Sequence, residues 1–312
     1  MSAPRSDSRL TLAEIGAIVL IVVIWGVNNA AAKMATQVLP PMLVGALRFV
    51  LASAILLPFV RPPFPQWKNL ALLAICAGPV HFGLIYFGFS IAHDLSPLSV
   101  SLQLWIPMTV LFSWLLLGEP MSRAAMAGLA LAFAGVAIMT GDAHALRDWP
   151  AIAVGVVASA AWALGAIIAR RTAAVPALKL QGIISLFAAP CMGLASAVFE
   201  RQRWGALAHA DAMIWGSVVF AAVASTVGAT VMLFWLVQRR EAGRVTPYML
   251  TSPLVSGAIG VGLMGDVLTP QIVAGAAICI GGVAVVAITE RLRAKSGRLT
   301  PTETAEKVGS MS

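Results

Sequence analysis

The side chains in this chain able to do chemistry are a few polar and aromatic residues set inside long apolar runs: Trp25, Asn28, Asn29, Arg48, His81, Tyr86, Ser101, Trp105, Met108, Trp162, Ser225, Thr226 and Thr230. Asn28 and Asn29 follow Trp25 by three and four residues, so on a helix they lie about one turn along its own face. Amides both donate and accept, which suits the polar end of a ligand; a bond to a neighbouring helix is the plainer use. His81 follows Gly78-Pro79, and Tyr86 comes five residues later, about 140° round a regular helix. The two share a stripe only if Gly78, Pro79 or Gly83 distorts the turn. Ser101, Trp105, Met108 and Phe112 recur at helical spacing, a stripe that either grips an apolar ligand or packs on another helix. Arg48 is the one permanent charge set deep, and burying it alone costs at least about 2.5–3.5 kcal/mol, so it needs partners. A structural clamp or a seat for a substrate carboxylate would both supply them.

These groups bind; they do not break bonds. The chain has no H-E-x-x-H, no G-x-S-x-G, no Walker sequence and no paired carboxylates, which argues against an intramembrane protease, a lipase or an ATP-driven pump. Cys76, Cys191 and Cys279 stand singly, without a C-x-x-C or a histidine cluster, so neither metal nor cofactor is expected. Asp94, Glu119 and Asp266 fall at the ends of apolar runs, and Glu14 lies in the first turn of the first run.

The elements that position these residues are membrane spans. The chain of 312 residues is 59% hydrophobic and 11% charged, with a mean hydropathy of +0.89, far from the roughly 25% charged of soluble domains. Spans are expected at 11–33, 40–60, 69–91, 97–117, 123–140, 150–169, 178–199, 212–237, 246–264 and 270–289, most near the roughly 20 residues a crossing needs. The first run, preceded by Arg5 and Arg9, is too long for a signal peptide.

The spans come as two copies. Trp25-Gly26 with Lys33 matches Trp162-Ala163 with Arg170 at an offset of 137, while Pro107, Gly118-Glu119 and Ala127-Gly128 match Pro253, Gly265-Asp266 and Ala274-Gly275 at 146 to 147. Five spans per copy is an odd number, so the second copy enters from the opposite side: the inverted-repeat plan of secondary transporters. Charge agrees. With the N-terminus inside, sixteen Lys and Arg fall on the inner side and four (Lys33, Arg147, Arg201 and Arg203) on the outer, placing both termini in the cytoplasm. The net charge of +8 reflects orientation and anionic lipid, with no call for nucleic acid. Trp25, Trp105 and Trp162 lie deep, unlike the interfacial tryptophans, and are expected to wall a central cavity; matched Pro107 and Pro253, with Gly78-Pro79, are candidate hinges.

At Trp25-Gly26-Val27-Asn28 with Lys33, Leu47-Arg48-Phe49, Tyr86 through Ala92, Pro107, Leu116 through Pro120 and Gly128 through Gly135-Val136, the chain resembles the EamA branch of the drug/metabolite transporter superfamily. The likeness spans roughly 12–289. It implies an all-α membrane protein of ten helices, as two inverted five-helix repeats (12–140 and 150–289) around a central cavity, with 1–11 and 290–312 as cytoplasmic tails. Within the family the chain looks most like exporters of aromatic and other neutral amino acids, which act without obligatory ion coupling. A monomer or weak homo-oligomer in the inner membrane is expected. Proton-coupled efflux of cationic or lipophilic drugs is the alternative, with Glu14 as its carboxylate; a scaffold or sensor that transports nothing is the minor one.

Overall fold

The computed structural model describes residues 11–170, 175–229, 232, 233, 236 and 248–296; the side chains of Arg170, Arg291 and 293–296 are outside the description. The described residues form helices α1 (Leu12–Val38), α2 (Pro41–Leu56), α3 (Trp67–Ile91), α4 (Leu95–Leu117), α5 (Arg123–Thr140), α6 (Trp149–Arg170), α7 (Ala177–Phe199), α8 (Ala212–Ala229), α9 (Ser252–Met264) and α10 (Pro270–Ser296). Nine of them, all but α9, lie in helical runs long and apolar enough to cross a membrane. The large exposed side chains are mostly aliphatic or aromatic, as lipid contact requires.

Close contacts fix how the helices run. Gly128 meets Gly282 and Gly135 meets Gly275, so α5 and α10 are antiparallel. Gly45 meets Met192 and Gly182 meets Leu56, so α2 and α7 are antiparallel too. Asn29 meets Ser256 and Gly26 meets Ser252, making α1 parallel to α9; Leu98 meets Gly155 and Leu102 meets Ser159, making α4 parallel to α6. The α5–α10 seam is backbone on backbone. A Cβ on Gly135 would sit 2.3 Å from Cys279 N and 2.6 Å from Gly275 O. Because those are main-chain atoms, Gly135→Ala must push the helices apart, an overpacking cost of about 1–3 kcal/mol. A lowered thermal midpoint in detergent is the expected result, and an unchanged one would mean that the seam yields freely.

Helix ends are closed across the molecule. α1 starts with its own capping box: Thr11 N donates to Glu14 Oε2 (2.8 Å) and Glu14 N to Thr11 Oγ1 (3.3 Å). α2, which begins after Pro40, has no local side-chain cap; Glu200, at the end of α7, accepts from Met42 N (3.1 Å) and Leu43 N (3.2 Å) instead. α4 is likewise uncapped locally and is capped by Asp266.

Three stretches widen to π-helical turns: Cys76–Val80, Ala221–Ala229 and Gly260–Met264. The first contains Pro79, which has no N–H and would crowd the preceding turn, so the local widening follows from the residue itself. Helix α3 is therefore irregular where the sequence suggested a hinge. Pro107 is the third residue of the α-helical part of α4, just after a tight 3₁₀ turn at Leu102–Leu104, and Pro253 lies in the first turn of α9, where proline costs no hydrogen bond.

Candidate functional site

The π-helical turn ends at His81, and His81–Ile91 is regular helix. His81 and Tyr86 accordingly point apart, and each finds its own partner. His81 Nδ1 lies 2.7 Å from Ala158 O, a carbonyl that can only accept, so Nδ1 donates there. Its ring sits 4.8 Å from the Trp162 ring and 4.8 Å from Phe82. Tyr86 is fully buried, and its hydroxyl accepts from Arg48 Nη1 at 3.1 Å. Phe82, about 40° round the helix from Tyr86, joins the two: it stacks under the Arg48 guanidinium at 4.8 Å and reaches Trp162 edge-on at 6.3 Å. Phe49 closes the group, 5.0 Å from Phe82.

Arg48 belongs to α2, yet its other partners come from α8. Nε donates to Thr226 Oγ1 at 2.8 Å and Nη2 to Ser225 Oγ at 3.5 Å. Thr226 passes its own proton to Ala221 O at 2.9 Å, so its lone pairs face the guanidinium. Among the described residues no carboxylate pairs with Arg48.

The remaining expected ligand contacts are placed elsewhere. Asn29 donates to Ser256 Oγ at 3.2 Å across the α1–α9 contact, while the buried Oδ1 of Asn28 has no partner. Ser101 is fully buried, donates to Leu98 O at 2.8 Å and abuts Gly155. Met108 lies in the apolar cluster of Val136, Cys279 and Val283, and Trp105 packs against it. Trp25 packs against a second cluster, with Ile21 and Leu236, and Trp162 against a third, with Leu73 and Ile184. The three deep tryptophans are thus spread over three clusters, and Trp162 is the one in ring contact with His81 and Phe82. Thr230 lies outside the described residues. Phe49 and Phe82 were not among the expected site residues; Phe82 stands four before Tyr86, hence on the same helical face, and Phe49 adjoins Arg48.

Where the helices α1, α3, α4, α6 and α9 end on one side, a buried polar latch ties them together. Asp266 accepts from Leu95 N (3.0 Å), Ser96 N (2.8 Å) and Ser96 Oγ (2.6 Å), and its Oδ1 is 3.8 Å from Lys33 Nζ. Lys33, 1% exposed, also donates to His93 O. Asp148 accepts from His93 N (2.6 Å) and Asp94 N (2.9 Å). The buried Asp94 keeps one oxygen, Oδ2, without a partner. Burial, then the negative charges of Asp266 and Asp148, push its carboxyl above the usual carboxylate range against the opposing pull of Lys33 and Arg147.

A carboxyl raised in the latched protein favours that state below its ordinary pKa, and the advantage is lost as pH rises through the raised one. The thermal midpoint of the wild type is therefore expected to gain, relative to Asp94→Asn, as pH falls through that window. Parallel pH profiles for the two proteins would show that Asp94 does not titrate there.

Comparison with known proteins agrees with a transporter. An uncharacterised inner membrane transporter of Escherichia coli, YedA, is 23% identical over 270 residues, covering 84% of this chain and 86% of its own. A probable amino-acid metabolite efflux pump of Salmonella typhimurium is 27% identical over 290 residues (88% and 94% covered). The aromatic amino acid exporter YddG of Ancylobacter novellus is 31% identical over 216 residues (64% and 71% covered). A solved crystal structure superposes with a TM-score of 0.60 at 20% identity, covering 89% of this chain and 98% of that one, a likeness of fold alone. The model of the EamA-like transporter family matches twice, at residues 12–141 and 149–288. Those two matches take in nearly all of the helical chain, and the protein belongs to the EamA-like transporter family.

Proposed function

We propose that this protein is a secondary transporter of the inner membrane that exports, or facilitates the movement of, small neutral metabolites, aromatic and hydrophobic amino acids first among them. It works by alternating access, without obligatory ion coupling. The observation that carries the reading is the meeting of Trp162 with His81 and Phe82, half-buried side chains from the two matched halves of the chain, beside Arg48 and beyond the latch. The names of the amino-acid efflux pump and the aromatic exporter among its relatives support the substrate class.

Ten helices in two inverted halves, 12–140 and 150–289, fit the helix directions. Matched helices α2 and α7, and α5 and α10, run opposite ways, whereas α1 with α9 and α4 with α6 run together, as a twofold axis in the membrane plane requires. The Gly-acid pairs agree: Gly118 (φ 68°) and Gly265 (φ 77°) both end their helices left-handed, with Glu119 and Asp266 next. In this arrangement Trp25, Asn28, Asn29, His81, Tyr86, Ser101, Trp105, Met108, Trp162, Thr226 and Thr230 line or back the path. Gly78-Pro79, Pro107 and Pro253 let it bend. Both termini lie in the cytoplasm, on the charge distribution.

The rival reading, proton-coupled drug efflux, requires a carboxylate on the path. Glu14 is engaged in the cap of α1, which weakens it as that carrier. A screen of the purified protein against the twenty amino acids by thermal shift tests the substrate class. Stabilisation by phenylalanine, tyrosine, tryptophan and large aliphatic residues is expected; stabilisation confined to charged amino acids, or none at all, contradicts it.

A further inference from the structure

Arg48 carries a charge that the described structure does not neutralise. It is 4% exposed, and its contacts are the hydroxyls of Thr226, Tyr86 and Ser225 and the ring faces of Phe82 and Phe49. Hydroxyls and rings soften a buried cation without cancelling it, and removing such a group from water is costly unless an anion joins it. Donor capacity is also left over. A guanidinium has five N–H groups, and the three bonds include one at 3.5 Å, the outer limit of a useful contact. Nε is held firmly by Thr226, whereas Nη1 and Nη2 hold only a tyrosine and a serine hydroxyl, groups that an arriving anion can displace or recruit as donors.

We infer that Arg48 is the anchor for the carboxylate of the transported amino acid; this deepens the amino-acid reading above and rests on it. The two Nη groups present a planar fork that matches a carboxylate bidentately. Tyr86, whose hydroxyl accepts from Nη1, turns its own proton to the same anion. With the carboxylate there, the side chain of the ligand lies along Phe82 toward Trp162 and His81, the aromatic run that begins under the guanidinium. Specificity follows. Apolar monocarboxylates bind whether or not they carry an amino group, and the corresponding amines without a carboxylate do not.

The test is inhibition of phenylalanine counterflow in proteoliposomes by 3-phenylpropionate, which lacks the amine, and by phenethylamine, which lacks the carboxylate. In the wild type 3-phenylpropionate is expected to compete and phenethylamine to fail at the same concentration. Arg48→Gln, shown to be folded by its elution profile and thermal midpoint, is expected to bind phenylalanine at least about tenfold more weakly, with Arg48→Lys between the two. Phenethylamine competing as well as 3-phenylpropionate overturns the anchor, as does a folded Arg48→Gln with wild-type affinity. If Arg48→Gln does not fold, the wild-type ligand series and Arg48→Lys decide. Failure of the wild type to bind or move any aromatic ligand overturns the amino-acid reading together with the anchor. That outcome is distinct from a wild type that moves phenylalanine but ignores the carboxylate.

Discussion

Asp266→Ala is expected to open the latched side of the protein and to abolish net transport. The substitution removes the acceptor for Leu95 N, Ser96 N and Ser96 Oγ, leaving the start of α4 uncapped, and it strands the buried Lys33 beside His93 O. Breaking one side of a buried pair costs about 3–5 kcal/mol, and the protein recovers part of that by exposing Lys33 to water. An equilibrium moved by 4 kcal/mol changes by close to a thousandfold, so a latched population becomes a minor one. A cysteine placed at Ser99, fully buried in α4, with the native cysteines replaced, should then react with a membrane-impermeant thiol reagent. It should stay protected in the otherwise unaltered protein. Lys33→Met added to Asp266→Ala removes the stranded charge and should restore part of the protection; equal reactivity with and without Asp266 would show that the latch holds nothing shut.

Trp162→Ala should weaken phenylalanine binding by about thirtyfold or more, the loss of roughly 2 kcal/mol that a large aromatic anchor supplies in a contact of this kind. The ring touches His81 and Phe82 from a different helix, so its removal also leaves His81 held by Ala158 O alone on that side. Trp162→Phe keeps an apolar plate and should recover most of the affinity. Trp105→Ala provides the contrast, because Trp105 packs against the cluster of Met108 and Cys279. Its loss is expected to lower the thermal midpoint more than the affinity. Equal affinity losses for the two would mean that both rings line the path, as the sequence alone suggested.

Much of the fold is legible in the hydropathy of the chain because a span is a local, one-dimensional property. The expected segments 123–140 and 178–199 correspond to Arg123–Thr140 and Ala177–Phe199. The two stretches that the family model matches, 12–141 and 149–288, are those in which residue types recur at offsets of 137 to 147. What could not be read was pairing. Lys33 and Asp266 meet across most of the sequence, Glu200 caps a helix that starts at Pro41, and Arg48 finds Thr226; nothing in the periodicity of either segment names its partner. Asp266, which falls at the end of an apolar run, is a buried cross-link, since the start of α4, left without a local cap, takes one from this distant segment. His81 and Tyr86, about 140° apart on a regular helix by their spacing, face different neighbours because the turn at Pro79 widens before His81 and leaves the helix after it regular.

The measurement that bears most directly on transport is counterflow in liposomes containing the purified protein alone. Vesicles loaded with excess unlabelled phenylalanine and diluted into labelled phenylalanine, with no ion gradient, should accumulate label transiently and saturably, and Trp162→Ala should largely abolish the overshoot. Label that never exceeds equilibrium in the wild type, for phenylalanine and for every other neutral amino acid, or that does so only when a proton gradient is imposed, would contradict uncoupled transport through this site.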